Sequence, residues 1–365
     1  MRGILLYTPG HSPYTDTLIA YGLAYALRDA PELEIRGRGT HYEVLVEAEI
    51  EDVATCIRRV FRERAVAELK GDVLRRLLAG RDVDQALRAL EDGGLLKYLY
   101  ELTEPGHSRR EGRHGKGSTF KLPLMPLAGK YLHTDLTAKT KYDAKQYKAC
   151  KWCSALAMLG LATGALTLSF GTSRVVVLFS FEGAVDREYL ATFFEFLESL
   201  KAEREEGRTM LEDLRYSLDS IPDRLLAYSL TTYLSKELVL VMSVAAARWR
   251  ALVVRFDTRR AVQVRGFQDV ELNSVIGSLE EIIRLDEEEG TDTWGRLGDL
   301  IRRLMRRARA RDSNAHHALD SLTSLFDFLA SRRAEYLYEF ARSGYKAFNR
   351  SFNVYGLCES LLRIC

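Results

Sequence analysis

Between Trp152 and Ser173 the chain carries no charged side chain, and a stretch of that length has to be buried, either in a bilayer or in a protein core. Its composition separates the two. Small and hydroxylated residues recur through it, at Ser154, Gly160, Thr163, Gly164, Thr167, Ser169 and Gly171, and no second apolar stretch accompanies it. The sequence therefore predicts a buried helix that runs on into a core strand, with no membrane contact. Val175-Val176-Val177-Leu178-Phe179 follows at once, an apolar run typical of a central strand.

The segments around this core mix both element types. Ile4-Leu5-Leu6-Tyr7 reads as a short strand and Thr8 to Pro13 as a turn. A helix starts near Thr15-Asp16, either of which can cap it, and runs to Leu27. Ile35 and Tyr42 to Val46 are expected to form a hairpin around Arg36-Gly37-Arg38-Gly39. Residues 51–102 read as helical, with breaks at Gly71, Gly80 and Gly93-Gly94, and Pro105 to Gly129 as a long exposed loop. Helices are expected over Asp186 to Glu206 and Asp223 to Leu234. Strands are expected at Leu238 to Val244, Ala251 to Phe256 and Ala261 to Val264, the last two joined through Asp257-Thr258-Arg259-Arg260. From Leu272 onward only helices are expected. The fold class is α+β: a mixed domain over 1–270 with a basic loop near 105–129, then a helical C-terminal domain over 271–365.

The formal net charge of +2 hides an uneven distribution. From His107 to Lys151 there are eleven Lys/Arg against three Asp/Glu, and from Arg296 to Arg311 seven Arg against one Asp. Local balances of +8 and +6 leave −12 for the remainder, a pattern that suits a polyanion met at defined places. The second island lies on a helix with Leu297, Ile301, Leu304, Met305 and Ala308 on one narrow face. Arg302, Arg303, Arg306, Arg307, Arg309 and Arg311 cover the other half, where each like-charged i,i+4 pair costs a few tenths of a kcal/mol. Phosphate is a natural partner because guanidinium binds it through two parallel hydrogen bonds. The alternative is internal pairing with Asp286-Glu287-Glu288-Glu289. The first island holds Arg109, Arg110, Arg113, Lys116, Lys121, Lys130, Lys139, Lys141, Lys145 and Lys148, with Tyr131, Tyr142, Tyr147 and Trp152 interleaved. Cations for a backbone and aromatic faces for bases form a single-strand binding surface, unless the rings belong to the core.

No active site is legible. Gly112 to Thr119 lacks the Ser or Thr directly after Lys116 that a nucleotide-binding loop uses, and no strand precedes it. The seven histidines, His11, His41, His107, His114, His133, His316 and His317, make no metal-hydrolase spacing. Cys150-Lys151-Trp152-Cys153 has the spacing of half a zinc site, which needs four ligands. There is no second CxxC, so His133, His114 or Cys56 would have to complete it through the fold; a local disulfide or plain thiols are the alternatives. Five cysteines fit no secreted disulfide framework, and no signal peptide is read at the start, so a cytoplasmic protein is expected. Only eight Asn or Gln occur in the chain, as in thermophile proteins.

Several segments are similar to a known family. Leu6 to Pro13 with its following helix, Phe120 to Leu124 with Gly129-Lys130-Tyr131, and Lys148 to Cys153 leading to the strand that ends Phe179-Ser180-Phe181-Glu182-Gly183 resemble the archaeal type I-A (Apern subtype) CRISPR-associated Cascade large-subunit family. The resemblance implies a non-catalytic subunit of an RNA-guided interference complex. It implies contacts to crRNA, to target DNA including the protospacer-adjacent motif, and to other Cascade subunits including a small subunit. In such complexes guide pairing reads sequence while Lys and Arg hold backbones. The single CxxC departs from large subunits with a four-cysteine zinc site. The residues by themselves leave two other classes open: a metal-dependent nuclease with an unrecognised site, and a scaffold for acidic proteins.

Overall fold

The computed structural model describes residues 3–107, 118–119, 121, 123–126, 148–205, 209–310, 314–348 and 353–365. They form two compact units that share the chain alternately. The first comprises Met1–Thr167, Arg174–Leu197 and Val254–Phe267, the second Leu168–Ser173, Glu198–Val253 and Gln268–Cys365. The last crossing lies between Phe267 and Gln268, and the earlier ones make each unit discontinuous in sequence.

The first unit is built on a sheet. Strands β1 (Ile4–Tyr7) and β2 (Leu33–Gly37) each pair antiparallel with β3 (Tyr42–Val46), which gives the expected hairpin. β2 also pairs antiparallel with β7 (Ser173–Asp186), in register from Glu34 opposite Asp186 to Gly37 opposite Gly183. The order is β1-β3-β2-β7-β8-β9, with β8 (Ala247–Asp257) and β9 (Gln263–Glu271) entering the first unit through residues 254–257 and 263–267. Residues 174–181 of β7 are all buried, which is why this strand reads as a continuous apolar run rather than an alternation.

Helix α1 (Pro13–Ala26) begins earlier than Thr15-Asp16. Pro13 is preset for a first helical turn, and Ser12 is the cap, its Oγ accepting the Thr15 N–H at 3.2 Å. Asp16 instead turns back to accept the N–H groups of Gly10 at 2.7 Å and Ser12 at 2.9 Å. The uncharged stretch is not one long helix. It folds as α6 (Lys151–Thr163) followed by β6 (Leu166–Phe170), which pairs with β7. α1 packs directly on α6, and glycines set the spacing. A Cβ on Gly160 would lie 1.7 Å from the Leu18 carbonyl oxygen, and one on Gly22 would lie 2.7 Å from that of Leu156. Gly160 is thus the place in the stretch where two helix backbones meet.

Helices α2 (Ile50–Val60), α3 (Val66–Lys70), α4 (Gly80–Glu91) and α5 (Gly94–Glu101) fill the expected helical region, with Gly71, Gly80 and Gly93-Gly94 at their ends. The short pair β4 (Ser118–Thr119) and β5 (Lys148–Ala149) is antiparallel.

One expected strand is a helix. Leu238 to Val244 belongs to α10 (Lys236–Val244), because Ser235 caps it through the Leu238 N–H at 3.1 Å. Leu238, Val239 and Met242 then fall on one buried helical face; alternating Leu and Val suit a strand locally, and the cap with tertiary burial overrides that preference. After β7 comes α7 (Arg187–Glu205), and in the second unit α8 (Thr209–Ser217) and α9 (Asp223–Thr231) precede α10. Beyond β9 come α11 (Asn273–Glu289), α12 (Thr293–Ala308), α13 (Ala315–Ser331), α14 (Ala334–Ala347) and α15 (Tyr355–Leu362). The buried Trp249 locks the start of β8, its Nε1 donating to the Met242 carbonyl at 2.8 Å and its N–H to Asn273 Oδ1 at 2.6 Å. No single described helix is long and apolar enough to cross a membrane; α9 with α10 passes only as a pair, bent by 102°.

The helix contact predicts a contrast. Gly160→Ala drives a methyl into the Leu18 backbone and should cost about 3 kcal/mol or more. Gly298→Ala, with nothing within 4 Å of its added Cβ, should stabilise α12 by about 0.5–1 kcal/mol. Urea unfolding of both variants checks the pair.

Candidate functional site

Most of the first basic island lies outside the described residues: Arg109, Arg110, Arg113, Lys116, Lys130, Lys139, Lys141 and Lys145, together with Tyr131, Tyr142 and Tyr147. Lys148 is described only as backbone in β5. The two island cations with described side chains are held internally. Lys121 Nζ is 3.3 Å from Asp82, and Lys151 pairs with Asp92 while lying over the Trp152 ring. Trp152 itself donates to the Ala89 carbonyl at 3.0 Å and stacks on Tyr98, so it belongs to the framework of the unit.

The second island is α12, and its apolar face is as expected: Leu297, Ile301, Leu304, Met305 and Ala308 are buried. The arginine face is divided. Arg306 grips the buried Asp213 of α8 with two hydrogen bonds, Nε at 2.8 Å and Nη2 at 2.7 Å. Arg302 pairs with Asp299 one turn back. Arg307 donates Nε to the Ala347 carbonyl at 2.6 Å, satisfying an oxygen at the end of α14 that the helix itself leaves open. Arg303 and Arg309 instead lie over aromatic rings, Phe348 at 5.3 Å and Tyr216 at 5.4 Å. The exposed Arg296 lies beside Gly356, where an added Cβ would be 3.2 Å from Nη2. Among the described residues no carboxylate pairs with Arg296, Arg303 or Arg309. Arg311 lies outside the described residues.

The acidic stretch does not neutralise this face. Asp286 accepts the N–H groups of Thr293 and Trp294, each at 2.8 Å, at the start of α12. Glu288 pairs with Arg284, and Glu289 with Arg363. Burial raises the Asp286 carboxyl, and the bonds from Thr291, Trp294 and Thr293 outweigh it, holding the group below the usual carboxylate range. Sequence reasoning missed Asp213, Tyr216 and Phe348 because they come from other helices.

The first unit brings together a second set of groups. His107, Cys150 and Cys153 are buried, and their ligand atoms all lie within 4.8 Å of one another. Cys150 caps α6, its Sγ accepting the Cys153 N–H at 3.3 Å, and the two sulfurs are 3.3 Å apart. All five cysteines are free thiols. Cys150 is the more acidic of the two: the Cys153 hydrogen bond and His107 favour its thiolate, whereas burial pushes the Cys153 thiol up. Tyr98 places its hydroxyl 3.3 Å from the Cys153 sulfur and its ring edge-on to His107. Glu101 lies 3.2 Å from His107 Nδ1. His11 sits in the same region, pushed down to about 3 by burial and by His107, and is therefore neutral near pH 7. Of the ligands expected to complete the CxxC, His114 and His133 lie outside the described residues and Cys56 is not in the cluster. His107 takes that place, and no spacing in the sequence signals it. His316 and His317 stand in the first turn of α13 with rings 3.9 Å apart, away from any such group among the described residues.

A family model described as CRISPR-associated protein (Cas_Csa4) matches residues 4–355. No curated protein matches the chain.

The turn carrying His11 gives a pH prediction. Burial raises the Asp16 carboxyl from 3.8 to about 6, against hydrogen bonds from Gly10, Thr8, Ser12 and His11. Between those values the folded protein binds a proton that the unfolded chain releases, so this group's contribution to stability falls as pH rises from 4 to 6. Asp16→Asn should remove it: relative to wild type, the variant gains up to about 3 kcal/mol between pH 4 and 7. Denaturant midpoints of both proteins across that range check the sign.

Proposed function

The chain belongs to the Cas_Csa4 family of CRISPR-associated proteins, and from that premise we propose that it is a non-catalytic, nucleic-acid-binding subunit of a type I-A interference complex. Its partners are crRNA, target DNA and other Cas proteins, a small subunit among them, and its contribution includes recognition of the protospacer-adjacent motif. The observation that carries this reading is the set of α12 arginines that meet no carboxylate among the described residues. Arg296 and Arg303 are seven residues apart and so share a helix face, with Tyr355 beside Gly356 78% exposed; Arg309, just past the helix end, adds a third charge on another side, over Tyr216 of α8. Guanidinium groups lying on aromatic rings are preorganised for phosphate and for stacking on unpaired bases. Arg306 and Arg307 support this set: their bonds to Asp213 and Ala347 fix α12 against α8 and α14, while Arg302 is held by Asp299 of its own helix. The basic segment 108–147, with nine Lys/Arg against three Asp/Glu, is proposed as a second backbone contact.

Salt dependence tests the proposal. Each phosphate neutralised contributes about 0.7–0.9 to the slope of log affinity against log salt. Replacing Arg296, Arg303 and Arg309 together by Ala should flatten that slope by about 2–3 for single-stranded RNA or DNA. Lys121→Ala, which removes a cation already held by Asp82, should leave it unchanged. An unaltered slope in the triple variant rejects the α12 surface. Turnover of labelled DNA or RNA with magnesium, manganese or zinc rejects the non-catalytic role.

A further inference from the structure

We propose that His107, Cys150 and Cys153 are three protein ligands of a bound zinc ion. The donor set is the first reason. Two sulfurs and an imidazole nitrogen, all buried and mutually within 4.8 Å, are a combination that zinc takes up with a further ligand or a water in its fourth position. Spacing is the second. Zinc–sulfur bonds of about 2.3 Å put two sulfurs about 3.8 Å apart across a tetrahedral edge. The present 3.3 Å needs to open by only about half an ångström, whereas a disulfide would need closure to about 2.05 Å. The third reason is support around the ligands. Tyr98 contacts both Cys153 and His107, Glu101 lies on His107 Nδ1, and helix α6 aims its N-terminus at the sulfurs. Outer partners of this kind orient metal ligands and hold their lone pairs on the ion.

The ion would join two separate pieces of the first unit, the chain following α5 and the start of α6. His107 immediately precedes residues 108–147, and Cys150 follows them. Both ends of the chain that holds most of the first basic island would be tied to one ion, independently of any bound nucleic acid.

Cobalt(II) replaces zinc in such sites and reports its own ligands, so the full-length protein, reduced and freed of metal, is titrated with cobalt. The expected result is one cobalt per chain, with sulfur-to-cobalt charge-transfer bands and the intense d–d bands of a tetrahedral site, bleached by one equivalent of zinc. Cys150→Ser or Cys153→Ser should roughly halve the charge-transfer intensity. His107→Ala should shift the d–d bands and weaken binding at least tenfold. Chelation should lower the thermal midpoint of wild type and leave that of the double Cys150→Ser, Cys153→Ser variant unmoved, with circular dichroism verifying that each variant folds. A weak octahedral spectrum in wild type, no stoichiometric uptake, or a Cys150–Cys153 disulfide that re-forms in place of uptake would overturn the zinc site.

Discussion

The first unit depends on two helix backbones that touch. Gly160 and Gly22 let α1 and α6 approach until carbonyl oxygens occupy the space where side chains would begin. The first turn of α1 holds Asp16, and the start of α6 holds Cys150 and Cys153, close enough that Asp16 bears on the Cys153 thiol. Phe193 of α7 stacks on Tyr21 of α1 and Phe194 meets it edge-on, extending the contact toward β7 through Phe179. Interiors packed at crystal-like density transmit such constraints rather than absorb them.

Arginine serves two ends on α12. A helix face crowded with like charge is unfavourable alone, and the structure relieves that by anchoring some of its members. Bidentate capture of Asp213 by Arg306 and the Arg307 bond to the end of α14 use two guanidinium groups to hold helices together. Arg303 and Arg309 lean on rings rather than on carboxylates, which keeps their charge available and their orientation restricted, and Arg296 stands exposed beside Gly356. The same residue type thereby builds the surface and stocks it.

Legibility from sequence followed the range of the interactions involved. Period and turn chemistry located β1, the β2–β3 hairpin, the glycine breaks among α2 to α5, and the passage from α6 into strand, because each is decided within a few residues. The α10 segment misled because Leu-Val-Leu-Val is a strand pattern locally; Ser235 and the burial of Met242 settle it as helix. The apolar stripe of α12 was legible for the same local reason. The partners of its arginines were not, since Asp213 and Ala347 arrive from elsewhere in the chain and carry no periodic signal. His107 was equally silent. Its meaning rests on lying beside Cys150 and Cys153, a juxtaposition that only the assembled unit creates.

The alternation of the chain between the two units bears on how the protein is made. The N-terminal unit takes its final piece from Val254–Phe267, so its sheet cannot be finished when residue 197 leaves the ribosome. By then β1, β2, β3 and β7 are available, but the next strand in the order is still unsynthesised, and β7 waits with an open edge through the translation of α8, α9 and α10. Neither unit can be obtained by cutting the gene at one point. A newly made chain must keep that edge from pairing with another until more than two-thirds of its length has emerged, which places its period of greatest aggregation risk during synthesis rather than after it.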